Sequence, residues 1–192
     1  MVVGGKEQLP KLRLALTGTP GTGKTALATA LKGLFQIIEL EKLAEELALL
    51  GEVDDDGSRP IDIEEMAKKL DWQIPHSTII IEGHLSHLLP VDAIIVMRCH
   101  PGVLDARLSE RSYSVQKIQD NVEVEMLGGP WFEIPDGIPV LELNSGSYPS
   151  SKLSEVVVEW LANDMNPNRP VEVMDWLDDM ASDSPDSRKG QQ

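Results

Sequence analysis

The chain has 192 residues, 41% of them hydrophobic, and 32 acidic residues against 17 Lys and Arg give a formal net charge of −15. That length suits one well-buried domain with extensions; the acidic balance argues against non-specific DNA or RNA binding, which depends on Lys and Arg neutralising phosphates, and is compatible with a basic protein partner, a high-salt habitat or solubility alone. Cys99 is the single cysteine, so no intramolecular disulfide can form and a reducing cytoplasm is the expected compartment; no apolar run approaches the ~18 residues of a membrane span.

Residues 1–11 read as a flexible lead-in that lacks the apolar core of a secretion signal. The apolar run Leu12–Thr17 then suits a buried strand, and Gly18-Thr19-Pro20-Gly21-Thr22-Gly23-Lys24-Thr25 follows it directly. The spacing G-x-x-x-x-G-K-[ST], placed between a strand and a helix-forming run, marks a phosphate-binding loop. Its glycines let backbone amides approach a polyphosphate, Lys24 brings an ammonium to the β- and γ-phosphates, and the Thr25 hydroxyl is a Mg²⁺ ligand. The stretch is therefore expected to be a nucleotide-binding loop.

Beyond the loop the pattern predicts a helix over Lys24–Leu34, a strand over Phe35–Leu40 and a helix over Glu41–Leu50. An acidic loop through Asp54-Asp55-Asp56 leads to a helix over Ile61–Leu70. Ser77–Glu82 and Ala93–Arg98 are apolar enough for buried parallel strands. Helices follow over Pro101–Glu110, with Pro at its start, and from Ser114 to about Leu127, before Gly128-Gly129-Pro130. Pro139–Leu143 is the fifth strand, and Ser150 or Ser151 opens a helix ending near Asn163. Five strands alternating with helices imply an α/β fold, a five-stranded parallel sheet with helices on both faces. Ligands of such sheets sit at the carboxyl ends of the strands, which groups the glycine loop, Glu82-Gly83-His84 and the segment after Leu143.

Residues 164–192 carry 7 acidic and 3 basic residues and open on the breaker cluster Asn166–Pro170, so they read as a disordered acidic tail. Within it, Val173, Trp176, Leu177 and Met180 share helical spacing, suited to packing on the domain or docking a partner.

Glu82, ending the third strand, stands where P-loop enzymes place an acid that supports Mg²⁺, or it caps a helix. His84 and His87 are three apart, but no further Cys or His accompanies them to complete a zinc site. Arg107 and Arg111, four apart on one helix face, suit neutralisation of a transferring phosphoryl group, or surface pairing with Asp105 and Glu110.

GTPGTGKT, EGHLSHLLP and VMRCHPGVLDARLSERSYSVQKIQDNVEVE, in that order, resemble a small P-loop family shared by archaea and eukaryotes. This is the sixth-isoenzyme type of adenylate kinase, also called CINAP, and the resemblance covers about residues 12–162. It implies a nucleoside-monophosphate kinase fold and domain over 12–163, with the monophosphate-binding region near 41–64 and a lid near 110–120. It implies that ATP, with Mg²⁺, transfers phosphate to AMP or another monophosphate, and that ATPase activity accompanies the transfer. A role in late small-subunit ribosome maturation and rRNA processing, through transient binding of a ribosomal protein, is implied as well. By the same similarity Gly21, Gly23, Lys24, Thr25, Ala26 and Arg111 hold ATP. Lys24, Glu82, His84, Arg107 and Arg111 serve catalysis, and Thr25 and Glu82 attend the metal. Glu82 and Ser112 depart from the family's usual Asp and Gly.

Overall fold

A computed structural model describes residues 9–54, 57–70, 75–111 and 113–177. Five parallel strands form one sheet in the order β2-β3-β1-β4-β5: β1 Arg13–Thr17, β2 Gln36–Glu39, β3 Ile79–Glu82, β4 Ala93–Arg98 and β5 Val140–Asn144. The helices are α1 Lys24–Leu31, α2 Leu40–Glu46, α3 Ile63–Lys69, α4 Pro101–Glu110, α5 Val115–Met126 and α6 Ser150–Ala162. No described helix is long and apolar enough to cross a membrane.

Strand alternation sorts the core into two layers. Leu14 and Leu16 of β1, with Ala93, Ile95 and Met97 of β4, pack against Leu27 and Leu31 of α1 and Leu153 and Val157 of α6. Ala15, Ile94 and Val96 point the other way, onto Leu40 and Ala44 of α2 and Met66 of α3. Helices thus cover both faces, as the strand pattern requires. A third cluster joins α4 to α5 through Leu104, Leu108 and Ile118. The order places β1 centrally, between β3 and β4, so the glycine loop leaves the middle of the sheet.

Several boundaries differ from the sequence reading for local reasons. The first helix stops at Leu31 rather than Leu34. The second stops at Glu46 rather than Leu50, where Ala48 turns to φ 55 and Leu50 pairs with Ile61 in an isolated bridge. Asp62 caps α3 by accepting from Glu65 N at 2.9 Å, so that helix begins at Ile63. Two 3₁₀ turns, Ser86–Leu88 and Gly129–Glu133, were not expected. Of the lead-in, residues 9–11 lie within the described chain, and Leu9 packs against the first core layer.

The expectation of a disordered tail from residue 164 does not hold for 164–177. The chain turns back after α6, with Trp160 Nε1 donating to Pro167 O at 2.9 Å and Val140 N donating to Asn168 O at 2.7 Å. Trp176 is then buried, edge-on to the His100 ring at 5.7 Å. Of that apolar spacing Trp176 alone is buried; Val173 and Leu177 are exposed, so a single residue of the described set packs on its own domain. The remaining residues, 178–192, lie outside the described chain.

Truncating Trp176 to Ala should cost about 3–5 kcal/mol, the usual loss for a buried aromatic. That corresponds to a drop in Tm on the order of 10 °C at this chain length, measurable by thermal unfolding followed by circular dichroism. An unchanged Tm would contradict the packing described for residues 164–177.

Candidate active site

The glycine loop is wedged between α1 and the β4–α4 connection. Gly18 has φ 137, and a Cβ there would sit 2.3 Å from Met97 O; at Gly21, φ 92, it would strike Leu104 and Leu108. Only glycine fits these two positions. Gly23, also left-handed, caps α1, whose first residues are Lys24 and Thr25. The amides of this first turn point out of the helix end, where the dipole favours an anion.

Lys24 Nζ donates to Gly18 O at 2.8 Å and Thr19 O at 3.1 Å. Burial pushes its pKa down to about 8; Glu82 and Glu125 oppose that shift, and Arg111 adds to it. The loop thus holds a desolvated ammonium with only carbonyl partners, which a polyphosphate would stabilise.

Thr25 Oγ1 donates to Glu82 Oε1 at 3.2 Å. The Glu82 carboxylate thus lies at the loop, and it caps no described helix. An exposed hydroxyl beside a carboxylate is an all-oxygen donor set, suited to Mg²⁺ that keeps most of its waters and takes phosphate oxygens. Among the described residues no group of three or more His, Cys, Asp and Glu could hold a metal by itself. His87 in particular is engaged with Thr17 Oγ1 at 2.9 Å and Glu133 at 3.2 Å. The His84 ring is exposed on the cleft wall. Desolvation by the surrounding cleft, with the charges of Lys24 and His87, lowers its pKa, so it is neutral at pH 7.

An open cavity of about 770 Å³ joins the loop to Glu82 and His84, and continues to Glu39, Arg59 and Arg111. A second hollow of about 400 Å³ runs from Gly21 and Ala26 past Arg107 to Tyr148, in the segment after β5. Arg111 borders both. Gly21, Gly23, Lys24, Thr25, Ala26, Glu82, His84 and Arg111 are thus brought together. Arg107 lies on the far side of the loop: its NH1 donates to Ser145 Oγ at 2.9 Å and Gly21 O at 3.4 Å, and its NH2 to Ser145 O at 3.1 Å. It braces the loop against the β5–α6 connection, and it meets Arg111 at the second hollow, not at the large cavity. Neither arginine is ion-paired with Asp105 or Glu110 in the ways that spacing allowed.

The region near 110–120 consists of a short connection at Arg111 and Tyr113 and the first turns of α5, capped by Ser114, which accepts from Lys117 N at 3.2 Å. Ser112 falls outside the described residues, as do Asp55 and Asp56 of the 41–64 region. Sequence reasoning missed Tyr113, Lys117 and Asn121, which face the cavity, and Glu125, which lies behind the loop. For Glu125 a signal existed: Ile118, Val122 and Glu125 fall at i, i+4, i+7, which puts an acid on an apolar stripe.

A glycine loop with its lysine and hydroxyl, leaving the central strand of a parallel sheet at its carboxyl edge, defines a P-loop kinase fold. A family model described as an AAA domain matches residues 14–128. A protein named "Putative adenylate kinase" from Pyrococcus abyssi is 34% identical over 166 residues, covering 85% of this chain and 90% of its own. Its namesake from Pyrococcus furiosus is 35% identical with the same coverage, and that from Archaeoglobus fulgidus 43% identical over 115 residues, 59% of this chain and 61% of its own. Among solved structures, a sugar kinase from Janibacter sp. aligns at TM-score 0.53 and 16% identity over 82% of this chain and 97% of that one. Shikimate kinase from Acinetobacter baumannii aligns at TM-score 0.53 and 10% identity over 83% and 97%; both share the fold alone. The chain belongs to the adenylate-kinase-like family of archaeal P-loop proteins.

Lys24 gives the site a pH dependence. Its pKa is about 8 in the free protein, and bound phosphates favour the ammonium and raise it, so binding takes up a proton above that pH. ATP affinity should hold steady up to about pH 8 and then weaken by up to about tenfold per pH unit, read by calorimetric titration. An affinity that stays flat through that range would place the Lys24 ammonium away from the phosphates.

Proposed function

We propose that the protein transfers the γ-phosphoryl group of ATP to AMP or a related nucleoside monophosphate. The observation that carries this reading is one open cavity lined by Lys24 and Thr25 and also by Arg59. Lys24 and the loop amides hold the donor phosphates, and the hollow beside Tyr148 is wide enough for the donor nucleoside. Arg59, whose Nε is fixed by Gly51 O at 3.1 Å, offers a cation to the acceptor phosphate. An oxygen of that phosphate attacks the γ-phosphorus as the bond to the bridging β–γ oxygen breaks. Arg111, between donor and acceptor spaces, stabilises the charge spread over the moving group, while closure around Tyr113 excludes water. Thr25, with Glu82 beside it, would hold Mg²⁺, which would supply charge neutralisation to the phosphates. Arg107 acts by holding the loop.

A second reading rests on the acceptor side. Arg59 is the sole arginine between residues 41 and 64, and from Glu39 to Glu65 there are 11 acidic residues against two basic ones. In this reading neutral His84 orients a water, ATP is hydrolysed, and the acidic arm grips a basic small-subunit ribosomal protein during late ribosome maturation in the cytoplasm. Following ADP and inorganic phosphate separately, with and without AMP, separates the two: ADP formation that requires AMP and releases no phosphate is the kinase.

Lys24→Ala should lower turnover on the order of 10²–10³ with the fold intact, the usual loss for one preorganised transition-state donor. Arg111→Ala should lower kcat more than it weakens ATP binding, because a closing arginine acts mainly on the transition state. Arg59→Ala should chiefly raise KM for AMP. Steady-state kinetics on folded variants tests all three, and wild-type turnover by Lys24→Ala would sink both readings.

A further inference from the structure

The phosphate loop is supported from behind by a carboxylate that lines neither of the two cavities described above. Glu125 of α5 has no solvent exposure, and its side chain accepts hydrogen bonds from three separate parts of the chain. Thr19 of the loop donates to Oε2 at 2.6 Å. Arg98 Nε and Cys99 N, at the end of β4, donate to Oε1 at 2.7 and 3.0 Å. Trp176 Nε1, beyond the last helix, donates to Oε1 at 3.1 Å. The same stretch is clipped a second time, with Met174 N donating to Glu142 Oε2 at 2.9 Å and Arg98 NH1 to Met174 O at 3.3 Å.

Thr19 links this cluster to the chemistry. Its carbonyl accepts from Lys24 Nζ, from Thr22 N at 3.2 Å and from Thr22 Oγ1 at 2.8 Å, so fixing Thr19 fixes the loop's turn and its lysine. A β-branched side chain has few rotamers, and a bond to an unexposed carboxylate selects one of them. Elsewhere on α5, Lys117 and Asn121 face the large cavity, so one rigid helix spans both the cavity wall and the back of the loop.

We propose that Glu125 is a positioning residue for phosphoryl transfer, acting through Thr19 on the phosphate loop, and that the segment around Met174–Trp176 completes its hydrogen-bond set. The inference rests on the loop being the donor-phosphate site. Glu125 touches no substrate; it holds Thr19 and sets a negative charge near the buried Lys24. The last described residues of the chain are therefore part of the machinery that shapes the site.

The test compares Thr19→Val, Thr19→Ser, Glu125→Gln, Trp176→Phe and Lys24→Ala in the full chain, by kcat and KM for ATP, Tm, and the pH dependence of ATP affinity. Thr19→Val should lower kcat/KM by about tenfold or more, the scale of one lost hydrogen bond to a charged group, with a Tm also lowered because the buried Glu125 loses a donor. Thr19→Ser, which restores the hydroxyl, should recover most of the loss, and Trp176→Phe should show a smaller loss. Glu125→Gln removes a charge that favours the Lys24 ammonium, so the alkaline fall in ATP affinity should move to lower pH. Adding Thr19→Val to Glu125→Gln should cost little more than Glu125→Gln alone. Where Glu125→Gln does not fold, the two Thr19 variants decide. Parent-like kcat/KM in Thr19→Val, beside an inactive Lys24→Ala, would overturn the inference and leave the kinase reading standing. A Glu125→Gln protein with lowered Tm but unaltered kinetics and pH profile would do the same. Normal turnover by Lys24→Ala would remove both.

Discussion

A guanidinium sealed from water must find its counter-charges inside the protein, because leaving one unpaired costs several kcal/mol. Arg98 is in that position: it ends β4 with no exposure, between Glu125 at 2.7 Å and Glu142 at 2.8 Å. One cation between two carboxylates leaves acceptor capacity over, and the two acids take it up with neutral donors from elsewhere in the chain. Trp131 Nε1 donates to Glu142 at 2.7 Å, while Thr19, Cys99 N, Trp176 and Met174 N supply the rest. Satisfying one buried ion cluster thus fixes the glycine loop, α5, β5 and the returning chain after α6 relative to one another. Arg98 also stacks on the Trp176 ring at 5.7 Å, which adds a further attraction where water is absent.

In front of the loop the electrostatics have the opposite character. Lys24 is desolvated and met only by carbonyls, whereas Glu39, Glu41 and Glu82 line the cavity with Arg59, Arg111 and Lys117 around it. Fixed carbonyl and amide dipoles need little reorganisation when a charged ligand arrives, which is how a preorganised site lowers a barrier. The rigid part of the design lies behind the loop, where ions are buried and saturated. Arg111, Tyr113 and Arg59, at the edge of the cavity, lie on connections between elements instead.

The fold was legible where one physical signal dominated. β4 Ala93–Arg98 and α4 Pro101–Glu110 have the bounds read from sequence, because a continuous apolar run and a Pro at N1 leave few alternatives. The phosphate loop was legible for the same reason: its glycines and lysine are spaced by the anion they meet. The helical spacing of Glu41–Leu50 misled, since burying Leu49 and pairing Leu50 with Ile61 outweighed local helix propensity. Composition misled at residue 164, where polar and breaker residues surround the two or three that pack. Trp176 and Met174 could not be assigned to the interior without knowing that Arg98, Glu125 and Glu142 needed their groups. The bonds of Arg107 to Ser145 and Gly21 were not legible, because tertiary folding alone brings those residues to it.

The position of Trp176 in the chain has a consequence for synthesis. The glycine loop is made of residues 18–25 and its β4 neighbours of residues 93–98, so both leave the ribosome early. Their last hydrogen-bond donor comes some 150 residues after the loop. Until then Arg98 and the two carboxylates are an incompletely covered ion cluster in an otherwise assembled sheet. Since domains fold largely as units during synthesis, the final shape of the nucleotide site is set only once residues 174–176 have been made, after every strand of the sheet.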